Sequence, residues 1–306
     1  MSSQLESREM SDIRHKLDDS VWSPFECYLF DSDKEVLPVP LHWHYFAEVI
    51  LVKEGVLKAQ RGDKTCLVNA GELLLIPSLM PHQLDYGKGN ETVRYEMIRM
   101  DMEQLGELPS YAPDLRSALL AAEKARFSMH FSAADVRKYH LDQMVDRCVL
   151  EYSARTYGYD LIIRSILYLL TTVMVRIWMR EGFIPQGPVA QIEPIYTIPS
   201  YIAHHIHEPL KVEDLARRCG LSYPWFARKF HDIYGITCKD YIEKVRIRKV
   251  EQYLTFTDCD LNYISEHSGY ADCSHLIRDF RKFHNTTPVR FRASHQQMAR
   301  IAAQFP

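Results

Sequence analysis

Hydrophobic positions change their period along this chain of 306 residues. Between Val21 and Asp101 they fall in short runs: Glu48-Val49-Ile50-Leu51-Val52 stops at Gly55, and Leu73 to Ile76 stops at Pro77. Val93, Tyr95, Met97 and Ile98 alternate loosely with charged residues between Glu91 and Met100. Short β-rich runs bounded by glycine and proline predict a small barrel or sandwich. After Pro113 the beat turns helical. Leu115, Leu119 and Ala122 share a face, and Val136, His140, Met144, Cys148 and Tyr152 recur every fourth residue. Leu161 to Met179 is nearly apolar, but Arg164 and Arg176 within it are costly in lipid, so a buried or self-pairing helix is expected rather than a membrane span. Gly182, Pro185, Gly187 and Pro188 mark a linker, and Ile195 to His205 opens the next helical stretch.

That stretch contains a repeat. Leu215, Ala216 and Gly220 correspond to Ile264, Ser265 and Gly269 at an offset of 49. Past the turn the offset is 50: Ser222 matches Asp272, Phe226 Leu276, Arg228 Arg278, Phe230 Phe280 and Gly235 Asn285. Each pair has a physical reason. The glycines sit where two short amphipathic segments must turn sharply. Ser222 and Asp272 are N-cap types that accept a bond from a free amide at a helix start. Ala216 and Ser265 are small enough for a close helix crossing. Phe226 with Phe230, and Leu276 with Phe280, form an apolar stripe at i,i+4. Gly235 and Asn285 tolerate the left-handed conformation that ends a helix. Both copies therefore predict helix-turn-helix units. Their outward faces carry Pro224, Ala227, Arg228 and His231 in the first, and Ser274, Ile277, Arg278 and Arg281 in the second. Side chains near the start of such a helix reach base edges in the major groove, and an arginine there can bond both acceptors of a guanine. Arg228 and Arg278 hold the same slot, against the alternative of a phosphate contact. Asp240 to Phe256 reads as one connecting helix with Tyr241, Val245, Tyr253 and Leu254 on its apolar face.

Composition adds limits. Net charge is −3, and residues 190–293 carry 15 Lys and Arg against 13 Asp and Glu. DNA binding therefore rests on a local basic face and not on a general field. The seven cysteines, at 27, 66, 148, 219, 238, 259 and 273, are scattered and form no C-x-x-C, which points to a reducing cytoplasm without a disulfide framework or zinc finger. Met1 to Asp19 is polar and lacks the apolar run of a secretory signal.

Residues Leu210 to Arg292 resemble the AraC/XylS family of bacterial transcription regulators. The resemblance lies in Leu215-Ala216, Gly220-Leu221-Ser222, Phe230, Gly235, Tyr241 to Ile247, and the closing run from Gly269-Tyr270 through Arg278-Asp279-Phe280-Arg281-Lys282-Phe283-His284-Asn285-Thr286-Thr287-Pro288 to Arg292. Ser265, Leu276 and Asn285 depart mildly from the family pattern. The resemblance implies a double-stranded DNA operator read by two units, a sensing or dimerising remainder, and RNA polymerase as a further partner.

The N-terminal half carries His42-Trp43-His44, then Glu48 and Gly55, and later Gly71, Pro77 and His82. This resembles the cupin motifs, in whose metal-bearing members the matching residues would be His42, His44, Glu48 and His82. Val36, Leu79 and Tyr86 depart from the motifs. Similar regulators often keep the histidines without a metal, so these four residues are expected to line an effector pocket, with a divalent metal as the alternative. Trp22, Trp43, Tyr45 and Tyr95 could stack on a sugar ring or an aromatic effector; strand aromatics are more often core.

The expected protein is α+β with two domains. A cupin-like β-barrel (1–110) and a helical dimerisation segment (111–182) precede a linker (183–191), an all-α double helix-turn-helix domain (192–293) and a tail (294–306). It is expected to be a cytoplasmic, non-enzymatic, homodimeric regulator with a small effector, a carbohydrate by family habit, and no membrane partner. The rival is a metal-dependent cupin enzyme or metal sensor fused to a DNA-binding domain.

Overall fold

The computed structural model describes residues 25–44, 46–61, 64–78, 80–87, 92–102, 115–185 and 194–294. The expectations for Trp22, Tyr45, Leu79, the Gly187-Pro188 turn and the tail beyond Ser294 lie outside them. The chain divides into two compact units, residues 1–192 and 193–306.

In the first unit the described strands form two antiparallel sheets. One has the order β1 (Phe25–Asp31), β8 (Arg94–Met100), β3 (Ala47–Glu54), β6 (Leu73–Ile76) and β9 (His130–Phe131). The other runs β2 (Val39–His42), β7 (His82–Tyr86), β4 (Val56–Arg61) and β5 (Lys64–Asn69). Successive residues of a strand point to opposite faces. Ile50, Val52, Leu74, Ile76, Tyr95 and Met97 from the first sheet accordingly meet Leu57, Ala59, Val68 and Leu84 from the second in one core. Tyr95 belongs to this core, stacked on Phe30 with centroids 4.5 Å apart, and not to a ligand platform.

Among the described residues four helices follow: α1 (Leu115–Lys124), α2 (Ala133–Tyr139), α3 (Leu141–Ala154) and α4 (Tyr159–Arg180). The four-residue beat from Val136 to Tyr152 is interrupted. His140 adopts a left-handed φ of 56° and separates α2 from α3, so the buried stripe of α3 is Leu141, Val145 and Cys148. Strand β9 inserts between α1 and α2 and pairs with Leu73 and Leu74, a two-residue element too short to leave a pattern in the sequence. Helix α3 packs over β1 and β8, and α4 packs on α1 and α3. By length and composition α4 could cross a membrane. Ile163, Leu167, Leu170, Met174 and Trp178 are nevertheless buried, while Leu161, Ile162, Leu169 and Met179 stay exposed.

At the joint of α3 and the sheet, Lys53 on β3 lies 3.5 Å from Glu96 and 2.5 Å from Asp146. Burial, and the bond to Asp146, push the Glu96 carboxyl up to about 7.

The second unit holds α5 (Ile198–His204), α6 (Val212–Arg218), α7 (Tyr223–Tyr234), α8 (Cys238–Phe256), α9 (Leu261–His267) and α10 (Cys273–His284). The two copies repeat the same turn. The Leu221 amide donates to the Ala216 carbonyl at 3.0 Å, and the Tyr270 amide donates to Ser265 at 2.9 Å. Gly220 and Gly269 have φ of 66° and 76°, and the C-caps Gly235 and Asn285 are left-handed at 74° and 52°. The N-caps differ. Asp272 accepts from the His275 amide, whereas the Ser222 side chain makes no cap bond despite its extended backbone. Helix α8 serves both copies. Its Tyr241 meets Phe230 and Tyr234 of the first, and Ile247, Val250 and Leu254 pack with Ile264, Leu276 and Phe280 of the second. Val245 and Tyr253 are only half-buried, Tyr253 packing against the core of the second copy, while Tyr241, Ile242, Ile247, Val250 and Leu254 are the buried part of the face.

Two predictions follow from these contacts. Glu96 has its folded pKa raised above its unfolded value, so its contribution to stability is complete at acid pH and is lost as pH rises through about 7. Glu96→Gln mimics the protonated form and should raise the melting temperature most at pH 8, less at pH 5.5 and little at pH 4, below the unfolded carboxyl's ordinary value. The glycine turns should respond unequally to alanine. Around Gly220 nothing lies near an added Cβ, so Gly220→Ala should cost only the left-handed penalty of about 1–2 kcal/mol. At Gly269 the Cβ would overlap the Ile206 carbonyl and press on Arg246, adding about 1–3 kcal/mol of overpacking. Calorimetry of the two variants should rank Gly269→Ala as the less stable.

Candidate functional site

Two sites emerge from the fold, one in each unit. In the first unit, strand pairing brings the polar residues to one end of the sandwich interior. His42 closes β2 and lies opposite His82 at the start of β7, while Glu48 on β3 lies opposite Arg99 on β8. His44 sits just past the end of β2, yet its ring still joins the group. Ring centroids are 4.2 Å apart for His42 and His82, 4.9 Å for His44 and His82, and 5.5 Å for His42 and His44. All four predicted residues are buried, His82 and Glu48 to 0% and 1% exposure.

The hydrogen bonds fix the tautomers. His42 Nδ1 lies 2.9 Å from the Pro40 carbonyl, His44 Nδ1 2.8 Å from Phe46, and His82 Nδ1 2.8 Å from Met80. A carbonyl oxygen only accepts, so each Nδ1 carries the hydrogen and a neutral ring presents a lone pair at Nε2. Burial holds His44 below its ordinary pKa and, with the neighbouring His82, brings His42 down to about 4. Burial opposes charge on Glu48, yet its carboxyl is held well below the usual range, with the Arg99 guanidinium, whose Nε lies 3.0 Å from Oε1, among the causes. His44 Nε2 stands 3.1 Å from Oε1 and His82 Nε2 3.3 Å from Oε2. None of these contacts has hydrogen-bonding geometry, and His44 Nε2, His82 Nε2 and Glu48 Oε2 are buried without a hydrogen-bond partner. The histidine ligand atoms all lie within 4.8 Å of one another. The cluster is thus a convergence of lone pairs and one negative charge, fitted to receive hydroxyl hydrogens or a cation. The sequence motif held no hint of Arg99, which reaches Glu48 only through strand pairing.

In the second unit, helices α7 and α10 present the predicted outward faces. Pro224, Arg228 and His231 are exposed on α7, as are Ser274, Arg278 and Arg281 on α10. Ala227 is half-buried. Ile277 departs from its expected place: it packs against the core that contains Leu276 and Phe280. Arg278 Nε lies 3.4 Å from its neighbour Asp279, with the arginine side chain 73% exposed. Tyr223 and Trp225 are 50% and 66% exposed in the first turn of α7, beside the predicted face. Sequence reasoning passed over them, although both are aromatics lying off the Phe226–Phe230 stripe. The second copy has Cys273 and His275 in those slots.

Comparisons with known proteins agree with both units. Residues 26–170 match the family model for an AraC-like ligand binding domain, and residues 215–294 match that for a helix-turn-helix domain. An uncharacterized HTH-type transcriptional regulator, YisR of Bacillus subtilis strain 168, is 22% identical over 258 residues, covering 80% of this chain and 85% of that protein. The bifunctional transcriptional activator/DNA repair enzyme AdaA of the same strain is 36% identical over 95 residues, 31% of this chain and 45% of that protein. The uncharacterized HTH-type transcriptional regulator SAS0078 of Staphylococcus aureus strain MSSA476 is 28% identical over 92 residues, 30% of this chain; the aligned segment spans only 12% of that relative's length. With a ligand-binding domain matched ahead of a doubled helix-turn-helix domain, the chain belongs to the AraC family of regulators.

Proposed function

We propose that this protein is a ligand-responsive, sequence-specific DNA-binding transcription regulator that works in the cytoplasm. One observation carries the reading: two helix-turn-helix units of the same geometry, braced on the shared helix α8, expose an arginine at the same slot of α7 and α10. Two such helices held by one rigid connector suit successive major-groove faces about 34 Å apart. Arg228 and Arg278 would bond guanine edges, with Pro224, Ala227, His231, Ser274 and Arg281 lining the groove around them. Ile277, half-buried, would support its helix more than it reads a base.

The first unit is the sensor in this reading. Buried acceptors without donors at His44, His82 and Glu48 favour a small hydroxyl-bearing effector, a sugar before others, because its hydroxyls would donate to them. The effector would act through differential affinity for two arrangements of the DNA-binding arms, and no catalytic step is needed. The outward face of α4, with Leu161, Ile162, Leu169 and Met179, supports a homodimer in which a second copy covers it.

Selection from a randomised duplex pool tests the reading. The full chain should enrich a motif with two half-sites about one helical turn apart. Arg228→Ala and Arg278→Ala should each weaken binding by about 1–3 kcal/mol and relax the motif in different halves. Enrichment of no sequence at all would remove the proposal. Sedimentation should show a dimer that Leu169→Glu converts to monomer; an unchanged wild-type monomer would remove the dimer from the reading.

A further inference from the structure

We infer that the effector proposed for the first unit is a hydroxyl-bearing anion, a sugar acid or sugar phosphate, and that Arg61 binds its anionic group. This rests on the sensing role of the unit and adds the chemical class of what it senses. The strand register supplies the geometry. His42 pairs with His82 across β2 and β7, His82 with Arg61 across β7 and β4, and Arg61 with Lys64 across β4 and β5. Paired residues point to one face, and so do residues two apart along a strand. Two residues inward from Arg61, His82 and Lys64 stand Ala59, Leu84 and Cys66, which lie in or against the sandwich core. The His42 and His82 rings are 4.2 Å apart. Four basic side chains therefore stand abreast on the interior face at one end of the sandwich. His42 and His82 are buried, Arg61 is half-buried and Lys64 is exposed.

Arg61 is the member of this row that its surroundings leave unsatisfied. Among the described residues it forms no ion pair. Its Nη1 lies 3.4 Å from the Leu75 carbonyl, and its Nε is buried without a hydrogen-bond partner. Burial lowers the guanidinium's pKa against the weaker pull of Cys66 and Glu123. Lys64 in the paired position repels it, so an anion between them makes the arrangement favourable. The buried cluster selects the other end of the molecule. The Nε2 lone pairs of His44 and His82 and the Glu48 carboxylate accept hydroxyl hydrogens and repel an anion. Neighbouring strands lie about 4.8 Å apart, so Arg61 stands one spacing from His82 and a single small molecule reaches both. Its hydroxyl end lies inward on the cluster, and its anionic end lies outward on Arg61, with Lys64 at the rim.

The full chain is tested by calorimetric titration and thermal melting with matched probes: glucuronate against glucose, galacturonate against galactose, and glycerate and glycerol phosphate against glycerol. At least one anion should bind and raise the melting temperature, and its neutral counterpart should bind at least about tenfold more weakly. Binding of glycerol phosphate alone assigns the anionic group as a phosphate; binding of the acids alone assigns a carboxylate. Arg61→Gln should lower affinity for the anion roughly ten- to hundredfold and leave that for the neutral probe unchanged, and Arg61→Lys should recover part of the loss. Having no ion pair to lose, the unliganded Arg61→Gln chain should melt close to the wild type. Arg94→Gln, which removes a guanidinium paired with Asp31, Asp33 and Glu54 away from the cluster, should leave the anion's affinity unchanged. The wild-type comparison of anion with neutral probe decides the matter even if a variant fails to fold. Equal affinity for the two, or unchanged affinity in Arg61→Gln, would overturn the inference and leave the sensing role standing. Silence of every probe at millimolar concentration would remove both, while duplex selection reads the DNA function separately.

Discussion

A carboxylate at 1% exposure between two sheets is the group that the first unit has to accommodate. Moving an ionised carboxylate out of water is tolerated only when charge and hydrogen bonds return to it. Glu48 has the Arg99 guanidinium and the His44 ring at Oε1 and the His82 ring at Oε2, and the local chain is arranged to keep them there. The strand pairings of Glu48 with Arg99 and of His42 with His82 set the positions, and three carbonyls, from Pro40, Phe46 and Met80, set the ring orientations. An apolar residue at 48 would pack the same sandwich more cheaply. Retaining a charge there, with unpartnered donors converging on it, marks a site for recognition.

The second unit is governed by a different constraint. A short helix-turn-helix buries too little surface to stand alone. Both copies are therefore braced on α8, which lends Tyr241 to the aromatic cluster of the first and Ile247, Val250 and Leu254 to the second. The shared helix links the spacing of the two reading helices to the packing of both cores. The copies are not equivalent. Gly220 turns in open space, whereas Gly269 lies tight against the Ile206 carbonyl and Arg246. The first reading helix opens with exposed Tyr223 and Trp225, the second with Cys273 and His275, so the two halves present different chemistry to whatever they meet.

Local chemistry was legible in the sequence wherever it depends on residues close together in the chain. The helix-turn-helix repeat could be read because a left-handed turn, an N-cap and an i,i+4 stripe are each set within a few residues. Gly235 and Asn285 ended their helices as their backbone freedom implied. The runs at Glu48 to Val52 and Leu73 to Ile76 became strands β3 and β6 because hydrophobic runs bounded by glycine and proline leave few alternatives. The His42, His44, Glu48 and His82 set was legible through its resemblance to the cupin motifs.

Tertiary structure decided the rest, because it joins residues that spacing cannot connect. Arg99 lies 51 positions from Glu48 and reaches it only through the β3–β8 register. Strand β9 gains its identity from β6, and Ile277 is drawn inward by the core behind α10 although its helical phase faces outward. The regular beat from Val136 to Tyr152 was cut where His140 turns left-handed, a break that periodicity does not register. The sequence by itself determined which residue types carry the chemistry and where the chain turns. The packing of sheets and helices alone determined which lone pairs meet, which arginine stands beside them, and which faces remain open to solvent.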